Sequence, residues 1–233
     1  MTELQIPALD ESGEFSAYVA MPSHNPAPAL VVIQEIFGVN AEMRKKCDEF
    51  AKPGYIAICP DLFWRIEPDV QLTDKTDEEW QKAFDLMGKF DADKGIDDIQ
   101  ATINAIREHE DCSGDVGAVG YCLGGKLAYL TATRTDINAS VGYYGVEIDK
   151  FLDEAENIKA PLLLHIAEED EFVPKEAQEK IKSGLDNHDK VTIYSYPGVS
   201  HAFARDGGKN YDDYSATNAN ERTREFLSSN LKS

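Results

Sequence analysis

The chain has 233 residues, 42% of them hydrophobic, with 43 acidic against 23 basic side chains and a formal net charge of -20 at pH 7. That length suits one α/β domain, residues 1–233, with a sizeable core. The charge excludes nucleic acid, whose phosphates select clustered Lys and Arg, and it opposes anionic membranes and, without local cations, anionic substrates.

The elements follow in chain order. The stretch 22–28, Pro-Ser-His-Asn-Pro-Ala-Pro, reads as a hairpin or loop entering the first central strand, Ala29–Gln34. A helix over 41–52 places Met43, Cys47 and Phe50 on one face and is stopped by Pro53-Gly54; Tyr55–Cys59 is the next strand. The polar connection 61–75 leads to a helix near 76–87 carrying Trp80, Phe84 and Met87. Ile96, Ile99, Ile103 and Ile106 recur at helical spacing and predict a helix over 93–109. Then come a strand at 115–121, a helix from Leu123 to about Thr133, a strand Ala139–Tyr144, a short helix or loop at 147–157, and a strand Pro161–Ala167. Pro174 suits a first helical position, with Ala177, Ile181 and Leu185 on one face behind it. Val191–Tyr196 is the last strand and 212–231 a final helix. Apolar runs alternating with helical patterns predict a mostly parallel central sheet flanked by helices on both faces.

Cys47, Cys59, Cys112 and Cys122 form no Cys-x-x-Cys pair and are too sparse for a disulfide framework; the histidines show no His-x-x-x-His spacing. No metal and no other cofactor are therefore expected. The N-terminal Met-Thr-Glu-Leu-Gln carries neither a basic nor an apolar stretch, and no apolar run reaches membrane-spanning length, so a cytoplasmic protein is expected. A monomer is the default.

Residues 120–125, Gly-Tyr-Cys-Leu-Gly-Gly, follow the apolar Val116-Gly117-Ala118-Val119. This is a Gly-x-Ser-x-Gly nucleophile elbow with cysteine in place of serine. A nucleophile between a buried strand and a helix N-terminus meets amides and a dipole that favour a thiolate and a developing oxyanion. The fold implied is the α/β-hydrolase fold, in which acid and base follow the nucleophile, each at the C-terminal end of a strand. His24 and His109 precede the elbow, His165 lies inside the strand Leu-Leu-Leu-His-Ile, and His188 sits before the last strand; His201, just after that strand, is the candidate base. Among Glu168, Glu169, Asp170 and Glu171, the Asp-x-x-Val-Pro turn favours Asp170 as the acid that orients His201. Glu35, ending the first central strand, could take a thiol proton, and the N–H groups of Ile36 and Leu123 are the candidate oxyanion hole.

Gln-Glu-Ile-Phe-Gly at 34–38, Pro-Asp-Leu-Phe at 60–63, the elbow, Val-Gly-Tyr-Tyr-Gly at 141–145, Asp-x-x-Val-Pro at 170–174, His-Ala-Phe-Ala-Arg at 201–205 and Asn-Glu-Arg-Thr at 220–223 resemble the dienelactone hydrolase (carboxymethylenebutenolidase) family, in order along nearly the whole chain. The resemblance implies an α/β-hydrolase fold without a large cap, and a Cys122, Asp170, His201 triad acting on small ester or lactone substrates through an acyl-enzyme thioester. It also implies that Glu35 removes the proton of a resting thiol when substrate binds. Arg205 matches one of two cations that hold a substrate carboxylate in the family. No arginine stands for the second: Trp80 occupies its place with Lys82 close by, and Phe84 replaces a tyrosine. Phe37 and Tyr144 complete the substrate contacts. An indole cannot replace an Arg–carboxylate fork, so a neutral or aromatic ester is an alternative substrate. A non-catalytic thiol sensor at Cys122 is the alternative of another class.

Overall fold

A computed structural model describes residues 2–232. Its sheet is eight-stranded and mostly parallel, with helices and no large cap domain. The chain divides into two compact units, residues up to Gly117 with Lys232, and Ala118–Leu231.

In the first unit, β1 (Thr2–Pro7), β2 (Glu14–Ala20) and β4 (Ile56–Pro60) pair antiparallel in turn, and β3 (Ala27–Ile33) joins β4 in parallel. β3 and β4 are buried along their whole length, as strands covered on both faces must be. The β1–β2 hairpin is absent from the sequence-based reading, which placed a hairpin or loop at 22–28. Three helices complete the unit. Helix α1 (Ala41–Ala51) starts where the Asn40 side chain accepts the Met43 N–H, α2 (Asp77–Lys89) where Thr76 accepts that of Glu79, and α3 (Ala92–Arg107) where Asp91 accepts those of Asp93 and Lys94. The α3 isoleucines are all buried, each contributing about 2 kcal/mol of apolar transfer. Helix α2 buries Ala83 and Leu86, while Phe84 is exposed.

Strand β5 (Cys112–Tyr121) runs from the first unit into the second. There β6 (Ala139–Tyr143), β7 (Leu162–Ala167) and β8 (Val191–Tyr196) pair in parallel. Helix α4 (Leu123–Arg134) is nearly all buried and packs on β6. The segment 147–157 resolves into two short 3-10 turns, Ile148–Lys150 and Leu152–Asn157. Pro174 caps α5 (Lys175–Leu185) from one residue outside rather than opening it. Helix α6 (Asp213–Asn230) starts where Asp212 accepts the Ser215 N–H.

Candidate active site

The elbow of the second unit is built by close backbone approach. Cys122 sits at φ 56 and ψ -113, a conformation that costs a non-glycine residue roughly 1–3 kcal/mol. Its N–H donates to the Tyr143 carbonyl at 3.1 Å, and its own carbonyl accepts the Gly125 and Lys126 amides at 2.9 and 3.2 Å, locking the start of α4. A Cβ on Gly120 would lie 1.9 Å from the Gly124 carbonyl oxygen, and one on Gly125 would lie 2.5 Å from that of Tyr143. Glycine at 120 and 125 is thus what lets strand, turn and helix pass so near one another. Leu123 is the first residue of α4, so its N–H has no upstream carbonyl within the helix. Lys126, buried one turn on, pairs with Glu147 at 2.8 Å.

Asp170 lies three residues beyond β7. Its Oδ1 accepts the Phe172 and Val173 amides at 2.8 and 3.2 Å, leaving Oδ2 to meet Nδ1 of His201 at 2.8 Å. The backbone thereby fixes the carboxylate, and the carboxylate fixes the imidazole. Tyr144 and Phe172 both pack against that imidazole, with ring centroids at 5.1 and 4.9 Å, each edge to face. Tyr144 is itself held at φ 38. Nε2 of His201 is buried without a well-formed hydrogen bond, and Cys122 is the group that acts on it electrostatically. Burial alone would lower the His201 pKa; the charge on Cys122, then the Asp170 hydrogen bond, outweigh it and push it up to about 10. The imidazole is therefore charged at neutral pH, with Cys122 as its neighbour on the Nε2 side. Arg205, four residues on, is buried.

Three of the other histidines have tasks of their own. His165 is buried between the Tyr196 hydroxyl at 2.8 Å and Thr223 Oγ1 at 2.9 Å, and burial pulls its pKa down to about 3. His109 and His188 accept the Asp111 and Lys190 amides in turns.

In the first unit, Glu35, Ile36 and Phe37 are buried in the loop that leaves β3. The Gln34 side chain accepts the Leu62 N–H at 3.0 Å, and Leu72 N–H donates to the Phe37 carbonyl at 2.9 Å. Gly38, at φ 76, presses so close to Val70 that a Cβ would sit 1.9 Å from its carbonyl oxygen. Phe37, Trp80 and Phe84 form one aromatic cluster: Trp80 lies edge to face with Phe37 at 5.0 Å and tilted on Phe84 at 5.5 Å. The indole N–H is held by the Asp74 carbonyl at 3.1 Å, and Lys82 is paired with Glu67.

Among the described residues, no group of three or more His, Cys, Asp or Glu is placed to hold a metal, and no helix is long and apolar enough to cross a membrane. Sequence reasoning missed Phe172, whose only signal is its place inside Asp-x-x-Val-Pro, and Lys126, whose partner lies 21 residues away.

A strained elbow, an oriented imidazole and a mostly parallel sheet define an α/β-hydrolase. The chain belongs to the dienelactone hydrolase family, whose profile matches residues 15–231, and is a hydrolase of the carboxylic ester class. It is 49% identical to a protein of Azospirillum brasilense provisionally named a carboxymethylenebutenolidase, over 99% of this chain and 100% of that one. It is 38% identical to a carboxymethylenebutenolidase of Pseudomonas putida, over 91% of this chain and 90% of the relative. A crystal structure from Klebsiella pneumoniae, provisionally named a dienelactone hydrolase, superposes with a TM-score of 0.84 at 25% identity, over 97% of each chain.

Proposed function

We propose that the protein hydrolyses small lactones or carboxylic esters with Cys122 as nucleophile. The observation that carries this is the 2.8 Å Asp170–His201 bond beside a cysteine held at positive φ on a helix N-terminus. The Cys122 thiolate attacks the substrate carbonyl carbon, and the Leu123 and Ile36 amides receive the oxyanion. Collapse of the tetrahedral adduct expels the alcohol oxygen, which takes a proton from His201, and leaves an acyl thioester. His201 then accepts a proton from water as it attacks the thioester; the acid departs and the thiolate returns. Asp170 holds one tautomer of His201 and steadies its positive charge. The Glu35 and Ile36 roles rest on the sequence: on their place just after β3, and for Glu35 on the family resemblance as well. Glu35 takes the proton of a resting thiol, and the raised His201 pKa supports an imidazolium partner for the thiolate that results.

Replacing Cys122 by alanine tests the reading: turnover of an aryl ester should vanish, and wild-type turnover in that variant would overturn it. Glu35→Gln should slow alkylation of Cys122 in the presence of a substrate analogue while leaving the fold intact; unchanged alkylation removes Glu35 from the mechanism.

The names of the relatives point to dienelactone, an anionic lactone that Arg205 would hold by its carboxylate. A second reading, a broad esterase for neutral or aromatic esters, is favoured by the Phe37–Trp80–Phe84 cluster and by the pairing of Lys82 with Glu67. Matched anionic and neutral lactones separate the two, and Trp80→Arg should raise the preference for the anionic member. A sensor without catalysis is set aside, since the chain is a hydrolase. We take the enzyme to work as a cytoplasmic monomer folded as one domain, which size-exclusion chromatography and a single unfolding transition would check.

A further inference from the structure

We propose that Phe172 is a positioning residue: its ring packs against His201 and keeps the imidazole seated on Asp170. The proposal rests on the reading of Asp170 and His201 as the working pair. Three observations carry it. The His201 and Asp170 side chains are only 4% and 1% exposed, whereas Phe172, in contact with both, is 40% exposed and reaches solvent. The imidazole meets Tyr144, which is fully buried, at a centroid distance of 5.1 Å. It also meets the Phe172 ring at 4.9 Å, and the same residue's N–H holds Oδ1 of Asp170 at 2.8 Å. One residue therefore grips the acid through its backbone and confines the base through its side chain.

A histidine packed against two rings has little freedom about its side-chain torsions, so Nδ1 stays on Asp170 and Nε2 stays turned to Cys122. With the Phe172 ring gone, the imidazole can tilt away and water can reach the Nδ1–H···Oδ2 bond. That bond strengthens in a dry setting and weakens in a wet one. Orientation of the base counts in every step that moves a proton, so the loss falls on kcat rather than on substrate binding.

The experiment uses the full chain with Phe172→Ala, Phe172→Leu and Phe172→Tyr, read by steady-state hydrolysis of a small neutral aryl ester and by the low-field NMR signal of the His201 Nδ1 proton. In wild type that proton should be visible at neutral pH, because it is sheltered from exchange. In Phe172→Ala it should broaden into the solvent, with kcat down about tenfold and KM within about twofold. Phe172→Tyr should restore both readouts. Phe172→Leu keeps the bulk and guards against misfolding; its proton signal should survive at least in part. A Phe172→Ala enzyme with a sharp Nδ1 proton and wild-type kcat overturns the proposal. So does a rise in KM alone, which would make the ring a wall of the substrate pocket. Failure of the underlying reading is separable: His201→Ala would then keep its turnover, whatever the Phe172 variants do.

Discussion

Asp170→Asn tests the acid without changing its shape. Two backbone amides donate to Oδ1 of Asp170, at 2.8 and 3.2 Å, so the single oxygen of asparagine must stay there. Its NH2 group then replaces Oδ2, 2.8 Å from Nδ1 of His201. Two donors cannot share that contact, so Nδ1 turns acceptor and the imidazole proton moves to Nε2. That is the atom which must accept a proton when water attacks the thioester, so the base carries the wrong tautomer. In a serine triad this change costs about 10⁴ in kcat. A thiol ionises more readily than a hydroxyl, so we expect a loss of about 10²–10³ in kcat/KM, or about 3–4 kcal/mol of barrier. The alkaline limb should move as well. Asp170 is among the groups that hold His201 up to about 10, so the imidazolium of the variant should be lost at lower pH. The assay is hydrolysis of p-nitrophenyl acetate across that range, with thermal melting to confirm the fold. Turnover within about threefold of wild type, with an unmoved alkaline limb, would refute the reasoning.

Two further outcomes concern stability. Cys122→Gly relieves the positive φ at the elbow, whereas Cys122→Ala keeps a Cβ there; the glycine variant should be the more stable of the two by about 1 kcal/mol in urea unfolding, although glycine is elsewhere the poorer choice. His165→Gln should flatten the acid limb of stability. Native His165 stays neutral down to about pH 3 while the unfolded chain protonates it near 6.5, so acidification through that window favours unfolding. Removing this one group should reduce the slope of unfolding free energy against pH by about 1.4 kcal/mol per unit, as read by urea titrations at several pH values.

What was legible in the sequence tracks how continuous the apolar signal is. Strands β3, β4 and β7 are apolar nearly throughout because both of their faces are covered, and β8 matched its expected ends residue for residue. The β1–β2 hairpin was missed because it carries half that signal: in β2 only alternate residues, Phe15, Ala17 and Val19, are buried until its last position. Period-two alternation is present there, but over so short a stretch it is a weaker signal than a continuous apolar run. Helix α2 was legible as a helix, but which side it buries was not, since it buries only Ala83 and Leu86 and leaves a large aromatic, Phe84, exposed. In the site, chain order and strand ends singled out Asp170 and His201, and the structure brings them to 2.8 Å. The role of Phe172 was not legible, because the contact joins positions 172 and 201 across a strand and a helix. Composition gave no hint of the Lys126–Glu147 pair for the same reason.

The central claim is covalent: an acyl group must sit on the sulfur of Cys122 during turnover. Acid quenching of the enzyme with a slowly hydrolysed aryl ester, followed by peptide mass spectrometry, reads this directly. The account predicts the acyl mass on the peptide that contains Cys122, gained within the first turnover and absent from Cys122→Ala. Full turnover with no adduct, or with the adduct on another residue, would contradict it.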